Sequence, residues 1–122
     1  MIKLVYAIRR RPDLSPEAFR ARWLEHAPLV ERFAAAMRAR RYVQSHTIET
    51  SWNDVLASSR GAQPPYDGIT EVWWDDLDAL AAALATPEGQ EAGRALLEDE
   101  RAFIDLAASS LFLTEEHEIF DR

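Results

Sequence analysis

The sequence predicts an α+β fold of ferredoxin-like βαββαβ order: one antiparallel four-stranded sheet with its helices on one face. Three observations carry this. Four short runs rich in β-branched, aromatic and aliphatic residues begin near Ile2, Tyr42, Gly68 and Leu111. An apolar stripe at helical spacing separates the first two runs, and two capped helical segments separate the last two. With 122 residues, of which 48% are hydrophobic, the chain fits a single domain, residues 1–122, around one core.

Ile2 to Arg9 reads as the first strand and stops at Arg10-Arg11-Pro12-Asp13. Ser15-Pro16-Glu17 then opens a helix with a hydroxyl cap, a proline at the first helical position and an acid suited to the dipole. Phe19, Trp23, His26, Val30, Phe33 and Met37 form its apolar face. Pro28 removes one backbone hydrogen bond and is expected to kink or split this helix, although Glu31 to Arg41 are again helix formers. Tyr42 to Thr50 alternates as a second strand. Ser51 to Asp67 reads as a long loop, broken most clearly at Gly61-Ala-Gln-Pro64-Pro65, and loops of that length often serve as lids.

Gly68 to Asp75 is the third strand, and Leu77, Leu80, Ala81 and Leu84 give a short helix. Thr86-Pro87-Glu88 restarts a helix expected to run to about Ala107, with Leu96, Phe103, Ile104 and Ala107 inward. Leu111 to Phe120 reads as the final strand. These strands carry apolar side chains on both faces, yet the chain holds helices for only one. A second copy is expected to cover the other, making a homodimer packed sheet against sheet.

The formal net charge of −7 argues against nucleic acid and against an anionic membrane surface. No apolar run approaches the ~20 residues of a membrane span. No signal-peptide pattern precedes the first strand. The absence of cysteine excludes disulfides and thiolate chemistry and fits a cytoplasmic protein.

His26 is the residue most out of place, an imidazole at the centre of an apolar stripe. It is a candidate general base or acid, since imidazole titrates near neutral pH. The structural alternative is a core histidine bonded to a carbonyl freed by Pro28. His46 shares a strand face with Tyr42 and Gln44, a set suited to binding hydroxyls and carbonyls; the alternative is an exposed strand end. Tyr6 can add a phenol to the same wall or simply pack in the core. Glu71, on one face with Ile69 and Trp73, can accept a proton or form a salt bridge at a rim or interface. Trp23 and Trp73 can stack on an aromatic ligand or serve as core and interface. Glu100, near Leu96 and Phe103, is expected to pair with an arginine. The histidines lack metal-ligand spacing, and no phosphate-binding glycine motif is present, so neither a metal nor a nucleotide cofactor is expected.

Several segments together resemble the EthD domain family. They are Leu14-Ser-Pro-Glu-Ala-Phe19, Trp23-Leu-Glu-His26-Ala-Pro28-Leu-Val30, Tyr42-Val-Gln-Ser-His46, Asp67-Gly-Ile-Thr-Glu71-Val-Trp-Trp74 and Thr114-Glu-Glu-His117. The resemblance covers nearly the whole chain and implies a dimeric α+β barrel. It also implies relatives among muconolactone-type isomerases, polyketide cyclases, decarboxylases or dehydratases, and cofactor-free monooxygenases. In such relatives a pocket lies between sheet and helices, and a first-helix histidine would look into it. This chain has one histidine before Ala27-Pro28 where the family often has two, and Ser45 where asparagine is frequent.

The combined expectation is a cofactor-independent enzyme acting on a hydrophobic, oxygenated cyclic ligand, such as a phenolic polyketide or unsaturated lactone. His26 and His46 would be catalytic; Tyr6, Trp23, Tyr42, Gln44, Glu71 and Trp73 would bind substrate. The alternative is a ligand-binding or stress-associated barrel without turnover.

Overall fold

A computed structural model describes residues 1–122. In chain order its elements are β1 (Ile2–Ile8), α1 (Pro16–Met37), β2 (Arg41–His46), α2 (Trp52–Ser58), β3 (Gly68–Trp74), α3 (Leu77–Leu84), α4 (Pro87–Glu100) and β4 (Ser110–Thr114). The strands form one antiparallel sheet in the order β2-β3-β1-β4. This is the predicted ferredoxin-like α+β arrangement.

Register decides which side chains meet the helices. Tyr6 lies opposite both Thr70 and Leu111, and Tyr42 lies opposite Val72. Leu4, Tyr6, Ile8, Thr70, Val72 and Tyr42 therefore face α1 and α4. The alternate set, including Val5, Val43, Ile69, Glu71, Trp73 and Phe112, faces away. The core is small and aromatic: Tyr6, Ile8, Phe19, Trp23, Phe103 and Ile104. Gly68 lets the Trp23 ring lie directly on β3, since a Cβ there would sit 2.3 Å from the indole.

The caps read from sequence are present. Ser15, Asp76 and Thr86 each accept a hydrogen bond from a backbone N–H in the first turn of α1, α3 and α4. Gly89, in the first turn of α4, is pressed against the end of α3. A Cβ there would stand 1.8 Å from the Ala83 carbonyl oxygen, which is backbone and cannot step aside. Gly89→Ala is expected to lower stability by at least ~1–3 kcal/mol in chemical denaturation, the usual cost of overpacking.

Five expectations need correction. β2 ends at His46, short of Thr50, because its partner β3 begins at Gly68, opposite His46. α1 is not split at Pro28; one 22-residue helix runs through it. A proline costs one backbone bond, and the buried Trp23, His26 and Val30 anchor the helix on both sides of it. The long loop contains α2, whose Trp52, Val55 and Leu56 stay exposed. α4 stops at Glu100, short of Ala107, because the chain then turns to bond the end of β1: Arg11 N–H donates to the Phe103 carbonyl and Asp105 N–H to the Arg9 carbonyl, both at 2.9 Å. Phe103 and Ile104 are still buried, while Ala107 is exposed. β4 ends at Thr114, not Phe120, because its partner β1 runs out: Lys3 lies opposite Thr114.

Candidate functional site

The helix-facing side of the sheet and the inner faces of α1 and α4 enclose a mostly apolar cavity of about 150 Å³. Apolar cavities of about that size admit a benzene-sized ring. Leu111, 58% exposed, belongs to its wall and marks the side nearest solvent. Its polar groups are His26, Tyr6, Tyr42, Thr70 and Glu100. The rest of the wall is hydrophobic, which strengthens any hydrogen bond made inside it.

His26 reaches this wall from the middle of α1 and is only 5% exposed. Its ring stands edge-on to Phe103, with centroids 5.3 Å apart. Its Nδ1 lies 2.5 Å from Asp99 Oδ2. Asp99 also pairs with Arg22, one turn before His26 on α1. The Arg22 guanidinium holds the Asp99 carboxyl below its usual range, with a smaller effect from His26. An ionised carboxylate only accepts hydrogen bonds, so His26 Nδ1 must carry the proton and donate it. Nε2 makes no hydrogen bond within the chain and is not sealed in the core. With its proton on Nδ1, the ring in its neutral form has its lone pair on Nε2. The carbonyl-bonded alternative for His26 does not hold: the partner is a carboxylate on the facing helix.

The folded Asp99 carboxyl binds its proton more weakly than the unfolded one. Its contribution to stability is full above the ordinary carboxylate range and is lost as pH falls below it. Asp99→Asn should flatten the acid limb of a stability–pH curve, measured by denaturant unfolding from neutral to strongly acid buffer.

A second polar chain crosses β2. Gln44 Nε2 donates to the Trp23 carbonyl at 3.0 Å and to the Tyr42 hydroxyl at 2.7 Å. The carbonyl can only accept, which fixes the amide orientation. Gln44 Oε1 then accepts from His46 Nε2 at 2.8 Å, so that nitrogen carries the His46 proton. Burial, with a lesser effect of Arg20, pushes the His46 pKa down and keeps its ring neutral. Burial is the main cause that pushes the Tyr42 phenol up, and the Gln44 hydrogen bond opposes it. Tyr42 Oη accepts from Gln44, so its own proton is free for a partner in the cavity.

Tyr6, Trp23, His26 and Tyr42 thus line one cavity. The other four sequence candidates do not reach it. His46 stacks on Trp23, with centroids 4.2 Å apart and planes 21° apart, and its ring is not part of the wall. Gln44 acts one step back, through Tyr42. Glu71 and Trp73 are on the opposite sheet face, because strand alternation puts Thr70 and Val72 inward. There Glu71 pairs with Lys3 at 2.7 Å, and Trp73 packs under Arg41. Glu100 is also not paired with an arginine: it accepts a hydrogen bond from the Tyr6 hydroxyl at 3.0 Å.

Asp99 escaped the sequence reading. It sits one step off the Leu96, Glu100, Phe103 stripe, and only the packing of α1 on α4 brings it to Arg22 and His26. The i, i+4 spacing of Arg22 and His26 was the available signal, since two donors one turn apart can grip one carboxylate.

No helix is long and apolar enough to cross a membrane. No curated protein matches the sequence. Among solved structures, an EthD-family protein from Bacillus halodurans superposes with a TM-score of 0.62 at 23% identity, over 96% of this chain and 99% of that one. A dimeric ferredoxin-like protein of unknown function from Bacteroides fragilis gives 0.59 at 13% identity, over 94% and 95%. SnoaB, a cofactor-independent oxygenase from Streptomyces nogalater, gives 0.55 at 17% identity, over 99% and 97%. At these identities the likeness concerns the fold. The profile of the EthD domain matches residues 11–107, and the chain belongs to the EthD domain family.

Proposed function

We propose that this chain is a small cofactor-independent enzyme that moves a proton at a carbon next to a carbonyl in a hydrophobic, oxygenated cyclic molecule. One observation carries the proposal: a histidine lining an apolar cavity, with Nδ1 held by a carboxylate and Nε2 left unpartnered. A base needs its lone pair aimed at the substrate and its ring fixed by a third group, and Asp99 meets the second need. Tyr42, oriented by Gln44 and through it by His46, donates to the substrate oxygen as enolate charge develops. Trp23 and Tyr6 shape the wall around the ring. The net reaction is an isomerisation, cyclisation, dehydration or decarboxylation.

The outward sheet face, with Val5, Val43, Ile69, Trp73 and Phe112, is where a second copy would pack. Glu71 and Trp73 then belong to the dimer interface, and the working protein is a cytoplasmic homodimer. Support comes from the dimeric state of the Bacteroides fragilis protein with the same fold.

The likeness to SnoaB favours a second reading, in which the same base deprotonates a phenol that then reacts with dioxygen. One panel of cyclic ketones, unsaturated lactones and phenols separates the possibilities. Carbon–deuterium incorporation from heavy water in bound members supports proton transfer. Dioxygen consumption without such exchange supports oxygenation. Members that raise the melting temperature but neither exchange nor consume dioxygen would leave a binding module.

A further inference from the structure

Asp99 and Glu100 are consecutive carboxyls on α4 with opposite surroundings. Asp99 faces Arg22 and His26 across the helix pair. Glu100 turns into the cavity, where its partner is the neutral phenol of Tyr6 at 3.0 Å. No cation pairs with Glu100 from any side. β1 presents Tyr6, β2 presents Tyr42, β3 presents Thr70 and β4 presents Leu111; α1 presents His26, with Arg22 committed to Asp99. On its own helix the charge that bears on it is the Asp99 carboxylate.

We propose that Glu100 is a further catalytic residue, a neutral carboxylic acid that works with Tyr6 to bind and protonate the substrate's carbonyl oxygen while His26 acts as base. The assignment rests on the proton-transfer reading of the cavity and adds its acid. Tyr6 O–H donates to Glu100 Oε1. That bond fixes the carboxyl and leaves its own O–H free for the ligand. Burial is the main cause that raises the Glu100 pKa; the Asp99 charge adds to it and the Tyr6 bond opposes it. The two neighbouring carboxyls thus sit in environments that push their pKa values apart, Asp99 down and Glu100 up.

The step balances within the site. His26 Nε2 takes the proton from the carbon next to the carbonyl. The C–H electron pair becomes the new C=C bond, and the carbonyl π pair moves to oxygen, which takes the Glu100 proton. The enol then returns its proton to Glu100 as His26 delivers its own to the same carbon or to a conjugated one. No oxidant or co-reactant is needed. The inferred substrate class is a cyclic ketone or unsaturated lactone of a single ring, with an acidic C–H on the carbon next to its carbonyl.

The test uses 4-nitrophenol as a single-ring oxygen acceptor and infrared spectroscopy of the carboxyl. Wild-type protein should show a protonated-carboxyl band that persists above the ordinary glutamic acid range and is missing in Glu100→Gln. Glu100→Ala should weaken 4-nitrophenol binding about tenfold, as loss of a buried hydrogen bond to the ligand does, whereas Glu100→Gln keeps a neutral donor and most of the affinity. His26→Gln should leave the band unchanged, so failure of the base reading shows only in deuterium exchange. Absence of the band, or tighter 4-nitrophenol binding in Glu100→Gln, would overturn the assignment, because each means that Glu100 is charged. Should Glu100→Ala not fold, the band and the Glu100→Gln affinity still decide.

Discussion

His26→Gln is expected to lower turnover by about 100-fold or more, while ligand affinity stays within about threefold. Glutamine is close in size to histidine and remains polar, so the wall keeps its shape, but the amide has no basic lone pair. Removing a base that acts only in the transition state lowers kcat and leaves binding intact. His46→Gln should cost less than about tenfold, because His46 acts on the cavity only through Gln44 and Tyr42. Rates and dissociation constants for the two variants on one exchanging ligand check both statements. Comparable losses would mean that His46 reaches the substrate directly.

Trp23→Ala should have the largest effect on stability, about 3–5 kcal/mol. The indole is fully buried and touches three elements at once. It packs on Phe19 with centroids 5.4 Å apart, stacks on His46 and fills the space that Gly68 leaves on β3. Nothing nearby can collapse into the gap, since Gly68 has no side chain and the neighbouring strands are fixed by their ladder. Denaturant unfolding of the variant measures the loss. A loss below about 1 kcal/mol would show that the cavity wall relaxes around a missing ring.

The fold was legible because local signals agree with one another. Ser15-Pro16 and Thr86-Pro87 mark helix starts that the hydrogen bonds bear out. Strand content and order follow from the alternating runs. What failed was set by distant partners. β4 stops where β1 ends, and α4 stops where its chain finds hydrogen bonds on Arg9 and Arg11. Neither limit is written in the local residues. α2 was invisible for a different reason: it buries none of its residues, so its apolar positions carry no amphipathic pattern.

The site divides in the same way. His26 was legible because a polar residue at the centre of an apolar stripe breaks the helical pattern. Tyr42 and Tyr6 followed from strand alternation. Glu71 and Trp73 lie on the face away from the cavity, where Glu71 makes the salt bridge that was its alternative reading; a strand's two faces look alike until register is known. Asp99 depended on how α1 and α4 are set against each other, which periodicity along one helix does not encode.

The account depends most on His26 offering an unprotonated Nε2 to the cavity because Asp99 holds the proton on Nδ1. Long-range proton–nitrogen correlation NMR of the imidazole reads that state directly. The predicted result is that the proton of the neutral ring sits on Nδ1, and that this preference is lost in Asp99→Ala. A neutral ring protonated on Nε2 in the wild-type protein would contradict it.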